Sequence, residues 1–76
     1  MKELVEYIVK SLVDKPEEVK VNEVKSEKTI ILELKVAQQD IGKVIGKQGR
    51  IIKAIRIVIN AAAAKTMTRA VLEILE

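Results

Sequence analysis

The spacing of apolar side chains predicts a helix and then a two-stranded hairpin in the first half of the chain. In residues 2–13 aliphatic side chains recur every three or four positions and form one stripe, which is typical of an amphipathic helix. Residues 19–25 (VKVNEVK) and 29–36 (TIILELKV) resemble strands and are separated by three polar residues, which predicts a hairpin. The even positions of the second strand should face the core. Val24 breaks the alternation of the first strand and could mark a bulge.

The second half of the chain predicts two helices and a final strand. Residues 40–45 form a short helix that Asp40 could cap and that Gly46 ends. Residues 50–64 carry the longest helical pattern and include four consecutive alanines, which favour helix strongly. The side chains expected on the core face of this helix are Ile51, Ile52, Ile55, Val58, Ile59, Ala62 and Ala63. Residues 69–76 (RAVLEILE) have the composition of a strand, with a frayed helix as the alternative.

This order of elements predicts an α+β fold of the two-layer sandwich type. Three strands would form one sheet, and three helices would cover one face of it. The 76 residues suffice for a single domain, so residues 1–76 should fold as one unit. A domain of this size buries only about 60% of the surface that its unfolded chain exposes, so a partner subunit could add to its stability.

Composition excludes several classes of function. The chain contains no cysteine and no histidine, which removes disulfides, thiol chemistry, most zinc sites and the usual general base. Around the glycines there is no cluster of carboxylates, so we expect a protein that is not an enzyme, with no catalytic residue, metal or cofactor. No apolar run approaches the length that spans a bilayer. We therefore expect a cytoplasmic protein that does not contact the membrane.

Positive charge is concentrated in one part of the sequence. Residues 41–65 contain six basic side chains and no acidic one, whereas residues 1–40 contain seven basic and nine acidic side chains. A local excess of positive charge is expected of a surface that meets a polyanion.

All three glycines of the chain lie in this basic segment, and two familiar glycine motifs do not fit them. A P-loop has four residues between its glycines and a hydroxyl side chain after its lysine, but here three residues separate Gly42 from Gly46, and Gln48 follows the lysine. A dinucleotide fingerprint fails because Val44 replaces its first glycine. A G-x-x-G turn over residues 46–49 remains. We expect Gly42 only to permit close packing of the short helix.

The turn has the features of a phosphate contact. Glycine at both corners allows unusual backbone dihedrals and lets a sugar-phosphate backbone come close. The turn leads into the long helix, whose free N–H groups and positive dipole end favour an anion. Lys43, Lys47 and Arg50 add positive charge beside it. Lys53 is also basic, but it projects opposite the core stripe, so an ordinary surface role competes with a binding role.

Residues 44–52 (VIGKQGRII) closely resemble the VIGxxGxxI signature of KH (K-homology) RNA-binding domains, and they lie between two helices as that fold requires. The predicted order of elements is similar to the bacterial, type II KH arrangement. The resemblance covers the whole chain and is greatest to small bacterial proteins that consist of one KH domain. It implies a non-catalytic protein that binds single-stranded RNA.

In KH domains the turn clamps the backbone of about four unpaired nucleotides, and a groove formed by the two helices and a sheet edge accommodates the bases. By position, the clamp would consist of Gly46, Lys47, Gln48 and Gly49. The aliphatic residues that would line the groove, or the core beneath it, are Ile41, Val44, Ile45 and Ile52. The only aromatic residue is Tyr7, so base stacking is limited, and we expect weak, unselective binding.

The long helix also carries a candidate pairing surface. Ile57, Ala61 and Ala64 lie on its face away from the core stripe, where polar residues would be expected. The alternative is a lone surface isoleucine in an alanine-rich helix. The resemblance implies a homodimer or a heterodimer with another KH-domain protein. A second hypothesis follows, in which the protein is an adaptor that pairs with proteins and binds little RNA.

Overall fold

The computed structural model describes residues 1–75, which form three α-helices and three strands around one core. In chain order these elements are α1 (Lys2–Lys10), β1 (Lys20–Lys25), β2 (Thr29–Lys35), α2 (Ile41–Ile45), α3 (Arg50–Ala64) and β3 (Arg69–Ile74). The predicted α+β order is confirmed. The last residue of the predicted final strand, Glu76, lies outside the described residues. None of the helices in residues 1–75 has the length and apolar content that a bilayer crossing requires.

Helix α1 ends at Lys10, three residues before the end of its apolar pattern. The backbone N–H groups of Asp14 and Lys15 donate to the carboxylate of Asp40 rather than to carbonyls of α1. The chain therefore leaves the helix axis although the pattern continues. The helix packs Val5 and Val9 completely into the core.

The three strands form one mixed sheet with β2 in the centre. Strand β1 pairs antiparallel with β2, and β3 pairs parallel with the other edge of β2. A parallel neighbour requires a crossover, which α2 and α3 supply on one face of the sheet. The even positions of the β2 segment, Ile30, Leu32, Leu34 and Val36, are buried beneath these helices, as predicted.

The bulge that Val24 could have marked is absent. Strand β1 pairs with β2 without interruption from Lys20 to Lys25. Val24 is 46% exposed because its position in the pleat directs it to the open face of the sheet. It lies opposite Ile31, which in turn lies opposite Val71, so three aliphatic side chains cross the sheet in one row.

Helix α3 has the bounds that the sequence predicts, and it supplies much of the core. Its buried side chains are Ile52, Ile55, Ile59 and Ala63. Val58 was expected with them but is 46% exposed. It lines an open groove of about 330 Å³ between α1 and α3, together with Ile8 and Leu12. The short α1 leaves this part of the stripe uncovered.

Asp40 does not cap α2 with its side chain, contrary to expectation. It is fully buried, and its two carboxylate oxygens accept the N–H groups of Asp14 at 3.1 Å and Lys15 at 3.0 Å. The chain enters α2 through a tight turn over Gln38–Asp40, which aims the carboxylate at the segment after α1. A buried charge is tolerated when hydrogen bonds satisfy it. Asp40 thus joins α2 to the α1–β1 connection.

Candidate nucleic-acid interface

The connection between α2 and α3 is a tight turn that glycine makes possible. Helix α2 ends at Gly46, which has φ 76° and ψ 173°. Gly49 has φ 72° and ψ 17°, and its N–H donates to the Gly46 carbonyl at 3.1 Å. The Gly46 conformation is essentially restricted to glycine, whereas the left-handed conformation of Gly49 is merely costly for other residues.

The three glycines differ in the space around them. A Cβ atom on Gly46 would lie 2.6 to 2.9 Å from three side-chain atoms of Ile51, so the turn packs directly on that side chain. At Gly49 the nearest atoms would be 3.9 Å away. A Cβ on Gly42 would meet nothing within 4 Å, so the expectation that Gly42 permits close packing is wrong.

Lys47 and Gln48 form the exposed tip of the turn. Gln48 has a left-handed backbone, φ 59°, which is uncommon for a residue other than glycine. Its side-chain Oε1 accepts a hydrogen bond from the Arg50 Nη2 at 3.3 Å. The tip therefore presents an ammonium group, an amide and a guanidinium group at the start of α3.

Lys53 lies closer to the turn than its position on the helix suggested. It is exposed, and its Cε lies 3.9 Å from where a Cβ on Gly49 would stand. The aliphatic part of the side chain therefore extends back along α3 towards the turn. The structure brings Lys47, Arg50 and Lys53 to one end of α3.

Lys43 differs from these residues because it forms an ion pair with an acidic side chain. Its Nζ donates to Asp14 Oδ2 at 2.7 Å. This hydrogen bond raises the pKa of Lys43 above its ordinary value. Partial loss of hydration opposes the rise, and the charges of Asp14 and Asp40 add to it. The partners are 29 positions apart in the sequence, so no local sequence pattern could have identified the pair.

The structure separates the four aliphatic residues whose role the sequence left open. Val44 and Ile52 are buried in the core. Ile45 is exposed, and Ile41 is half-buried. Ile41 and Leu75 both line a cavity of about 310 Å³ beside α2. Two of the four residues are thus accessible at the surface, and two support the helices from beneath.

Strand β3 forms an outer edge of the sheet, and one hydrogen bond at each end shows which of its residues bond to β2. The N–H of Arg69 donates to the Lys28 carbonyl, and the N–H of Leu75 donates to the Leu34 carbonyl. In a parallel pair alternate residues bond to the neighbouring strand. The odd-numbered residues of β3 therefore face β2, and the backbone groups of the even-numbered residues face the free edge.

Two side chains of α3 cover part of this edge. Asn60 Oδ1 accepts the N–H of Ala70 at 3.2 Å, and Arg56 Nη2 donates to the carbonyl of Leu72 at 3.2 Å. No sequence pattern indicates a role for Asn60, which only the pairing of β3 explains. Beyond these contacts the edge continues to Ile74, towards the cavity lined by Leu75.

The candidate pairing residues lie where the helical pattern placed them. Ile57 is 71% exposed, and Ala61 and Ala64 are also exposed. Their common face of α3 points away from the sheet.

Comparison with known proteins identifies the family of the chain. The family described as KhpA/KhpB, KH domain, matches residues 2–74. The chain is a member of this KH-domain family. The resemblance inferred from residues 44–52 is thereby confirmed.

Relatives of this KH domain match it over nearly their whole length. The chain is 68% identical to the RNA-binding protein KhpA of Clostridium perfringens over 75 residues, which are 99% of this chain and 100% of the relative. It is 60% identical to the protein of that name from Borreliella burgdorferi, over 97% of this chain and 90% of the relative. For the Chlamydia pneumoniae protein, also named RNA-binding protein KhpA, the identity is 55%, with coverage of 100% and 97%. No solved structure matches the chain.

Proposed function

We propose that this KH domain binds single-stranded RNA without catalysing a reaction, and that residues 46–49 clamp the sugar-phosphate backbone of about four nucleotides. One observation carries the proposal: two glycines with positive φ frame an exposed lysine and an exposed glutamine at the start of α3. Residues 41–65 contain no acidic side chain. The relatives' name, RNA-binding protein KhpA, agrees with the proposed binding of RNA.

The clamp would act through backbone access and positive charge. Gly46 and Gly49 present no side chain, so a phosphate can approach the main chain of the turn. The N–H groups at the start of α3 and the positive end of its dipole favour the anion. Lys47 supplies a compact ammonium charge, and Arg50 supplies a planar fork that fits two phosphate oxygens.

The bases would lie against aliphatic side chains and the free edge of β3. Ile41 and Ile45, the first and last residues of α2, offer apolar contact. The Arg56 guanidinium, already placed on the Leu72 carbonyl, offers hydrogen-bond donors at the edge. Tyr7 is the only aromatic residue, so a row of stacked bases has no platform. We therefore expect weak selectivity among sequences.

The salt dependence of binding tests this proposal. With an unstructured, fluorescently labelled oligoribonucleotide, we expect anisotropy titrations to give a log–log slope of about −2 to −3, because each of three or four phosphates contributes about −0.7. An unlabelled single strand should compete better than its own duplex. Absent binding, or an affinity that does not change with salt, would contradict the proposal.

A second candidate function is protein pairing through α3. We propose that Ile57, Ala61 and Ala64 form the contact of a homodimer or of a heterodimer with another KH-domain protein. Small side chains allow a second helix to approach closely, and the exposed isoleucine adds an apolar anchor. Two linked clamps would bind one RNA more tightly than either alone through effective concentration.

The substitution Ala61→Glu tests the pairing. A charge in the centre of the contact should convert a dimer into a folded monomer, because an unpaired carboxylate is costly to bury. Sedimentation should resolve the two states, and Lys28→Gln, which makes the same change in net charge on the hairpin, should remain dimeric. A parent protein that is monomeric at high concentration would rule out a homodimer through this face. A parent that pairs but does not bind RNA would favour the adaptor.

A further inference from the structure

Two side chains of the α2 region hold the segment that follows α1. The buried Asp40 carboxylate accepts the backbone N–H groups of Asp14 and Lys15. Lys43, three residues further along, donates to the side chain of Asp14 at 2.7 Å. Asp40 therefore fixes the backbone of Asp14, and Lys43 engages its carboxylate.

This contact brings an acidic side chain to a segment of the chain that has none of its own. Residues 41–65 carry six basic side chains and no acidic one. Lys43 lies three residues before Gly46, the first residue of the proposed clamp, so about one helical turn separates the two. Asp14 thus offsets one positive charge close to the place where we expect phosphates.

The pair is accessible and can be exchanged. The side chains of Lys43 and Asp14 are 47% and 61% exposed, and exposed ion pairs are weak because water and salt screen them. The neighbouring Lys15 is engaged elsewhere, since its Nζ lies 3.7 Å from Glu18. A phosphate oxygen could therefore replace the Asp14 carboxylate on Lys43 without uncovering a buried charge.

We propose that Asp14 competes with RNA phosphate for Lys43 and so limits the affinity of the RNA clamp. In the free protein the Asp14 carboxylate is paired with the Lys43 ammonium group, and an incoming phosphate has to displace this carboxylate. The inference rests on the proposed RNA-binding function. It assigns to Asp14, a residue outside the KH signature, a role in setting the strength and the salt dependence of binding.

The substitution Asp14→Asn should strengthen RNA binding. Asparagine keeps the size of the side chain and the backbone N–H that bonds to Asp40, but it removes the competing charge. We expect the affinity to rise about two- to fivefold at low salt, in keeping with an exposed ion pair. The log–log salt slope should become steeper by up to about 0.7, because Lys43 then neutralises a phosphate without releasing the Asp14 carboxylate.

Glu17→Gln is the matched control. Glu17 is exposed and lies in the same connection between α1 and β1, in the Pro16–Glu18 turn. Its substitution removes one negative charge, as Asp14→Asn does. It should change the affinity less and leave the salt slope unaltered. Equal gains from both substitutions would overturn the proposal, since the effect would then reflect net charge alone.

A double-mutant cycle with Lys43→Gln identifies the charge that Asp14 acts on. The gain from Asp14→Asn should disappear when Lys43 is absent, and the loss from Lys43→Gln should be larger in the Asp14→Asn background than in the parent. If the two effects add independently, the proposal fails. Circular dichroism of all four proteins should confirm that they are folded.

A turn variant measured in parallel separates this inference from the function on which it rests. If Lys47→Asp with Gln48→Asp binds RNA as the parent does, the clamp itself is refuted. If that variant loses binding while the Asp14 and Lys43 effects are additive, only the role of Asp14 is refuted.

Discussion

Replacing Gly46 with alanine should destabilise the protein by about 2–5 kcal/mol, which combines the backbone strain and the overpacking typical of such a change. The alanine would have to hold φ 76° and ψ 173°. Its Cβ would also stand 2.6 to 2.9 Å from atoms of Ile51. Because small domains are only marginally stable, urea denaturation should show a large fall in the midpoint.

The other two glycines are internal controls for this prediction. Gly49→Ala retains the left-handed backbone strain but meets no atom closer than 3.9 Å, so it should cost about 1–2 kcal/mol. Gly42→Ala lies in open space within α2 and should stabilise the protein by about 0.5–1 kcal/mol. A Gly46→Ala variant as stable as Gly49→Ala would contradict the packing of the turn on Ile51.

The sequence predicted those parts of the fold that depend on local periodicity. The bounds of α3 follow from its apolar stripe and alanine run, and they agree with the structure. The alternation in β2 predicted its buried face for the same reason. The turn over residues 46–49 could also be located from the sequence, because its signature residues are consecutive. The positive φ at Gly46 and Gly49 is a conformation that glycine itself favours.

The wrong predictions concern residues whose contacts are made with a distant segment of the chain. Aspartate is a residue type that commonly caps helices, but the Asp40 carboxylate accepts hydrogen bonds from the backbone after α1. Val24 disturbs the alternation of one strand, yet only the pairing of all three strands shows that it joins an aliphatic row on the open face. Val58 belongs to the core stripe by angle, but α1 is too short to cover it.

The same limit applies to the candidate site. Lys43 belongs by sequence to the basic segment 41–65, which contains no acid, whereas its partner Asp14 lies 29 positions away. Asn60 could not be recognised as a cover for the β3 edge before the position of β3 was known. Motifs therefore located the proposed clamp, and tertiary contacts determined which of its charges are free.

The substitutions Lys47→Asp and Gln48→Asp, made together, should weaken RNA binding by about tenfold or more, because two carboxylates would face the phosphate at the tip of the turn. Both side chains are exposed, so the core should be unaffected. Aspartate also tolerates the left-handed backbone that position 48 requires. Unaltered circular dichroism and thermal unfolding would show that the loss of binding does not arise from unfolding.

The control variant combines Lys28→Gln and Lys65→Asp, which change the net charge by the same amount. Lys65 follows the last residue of α3, about 22 Å from the turn end of that helix. Lys28 lies in the hairpin, and its carbonyl accepts the N–H of Arg69 at the start of β3. Any effect of net charge alone should therefore appear equally in both variants.

The most direct test of the account compares the dissociation constants of these two variants and the parent for one unstructured oligoribonucleotide, at one salt concentration. The account predicts a loss of about tenfold or more for the turn variant and less than about threefold for the control. Equal affinities for the two variants would contradict the claim that the Gly46–Gly49 turn holds the RNA backbone.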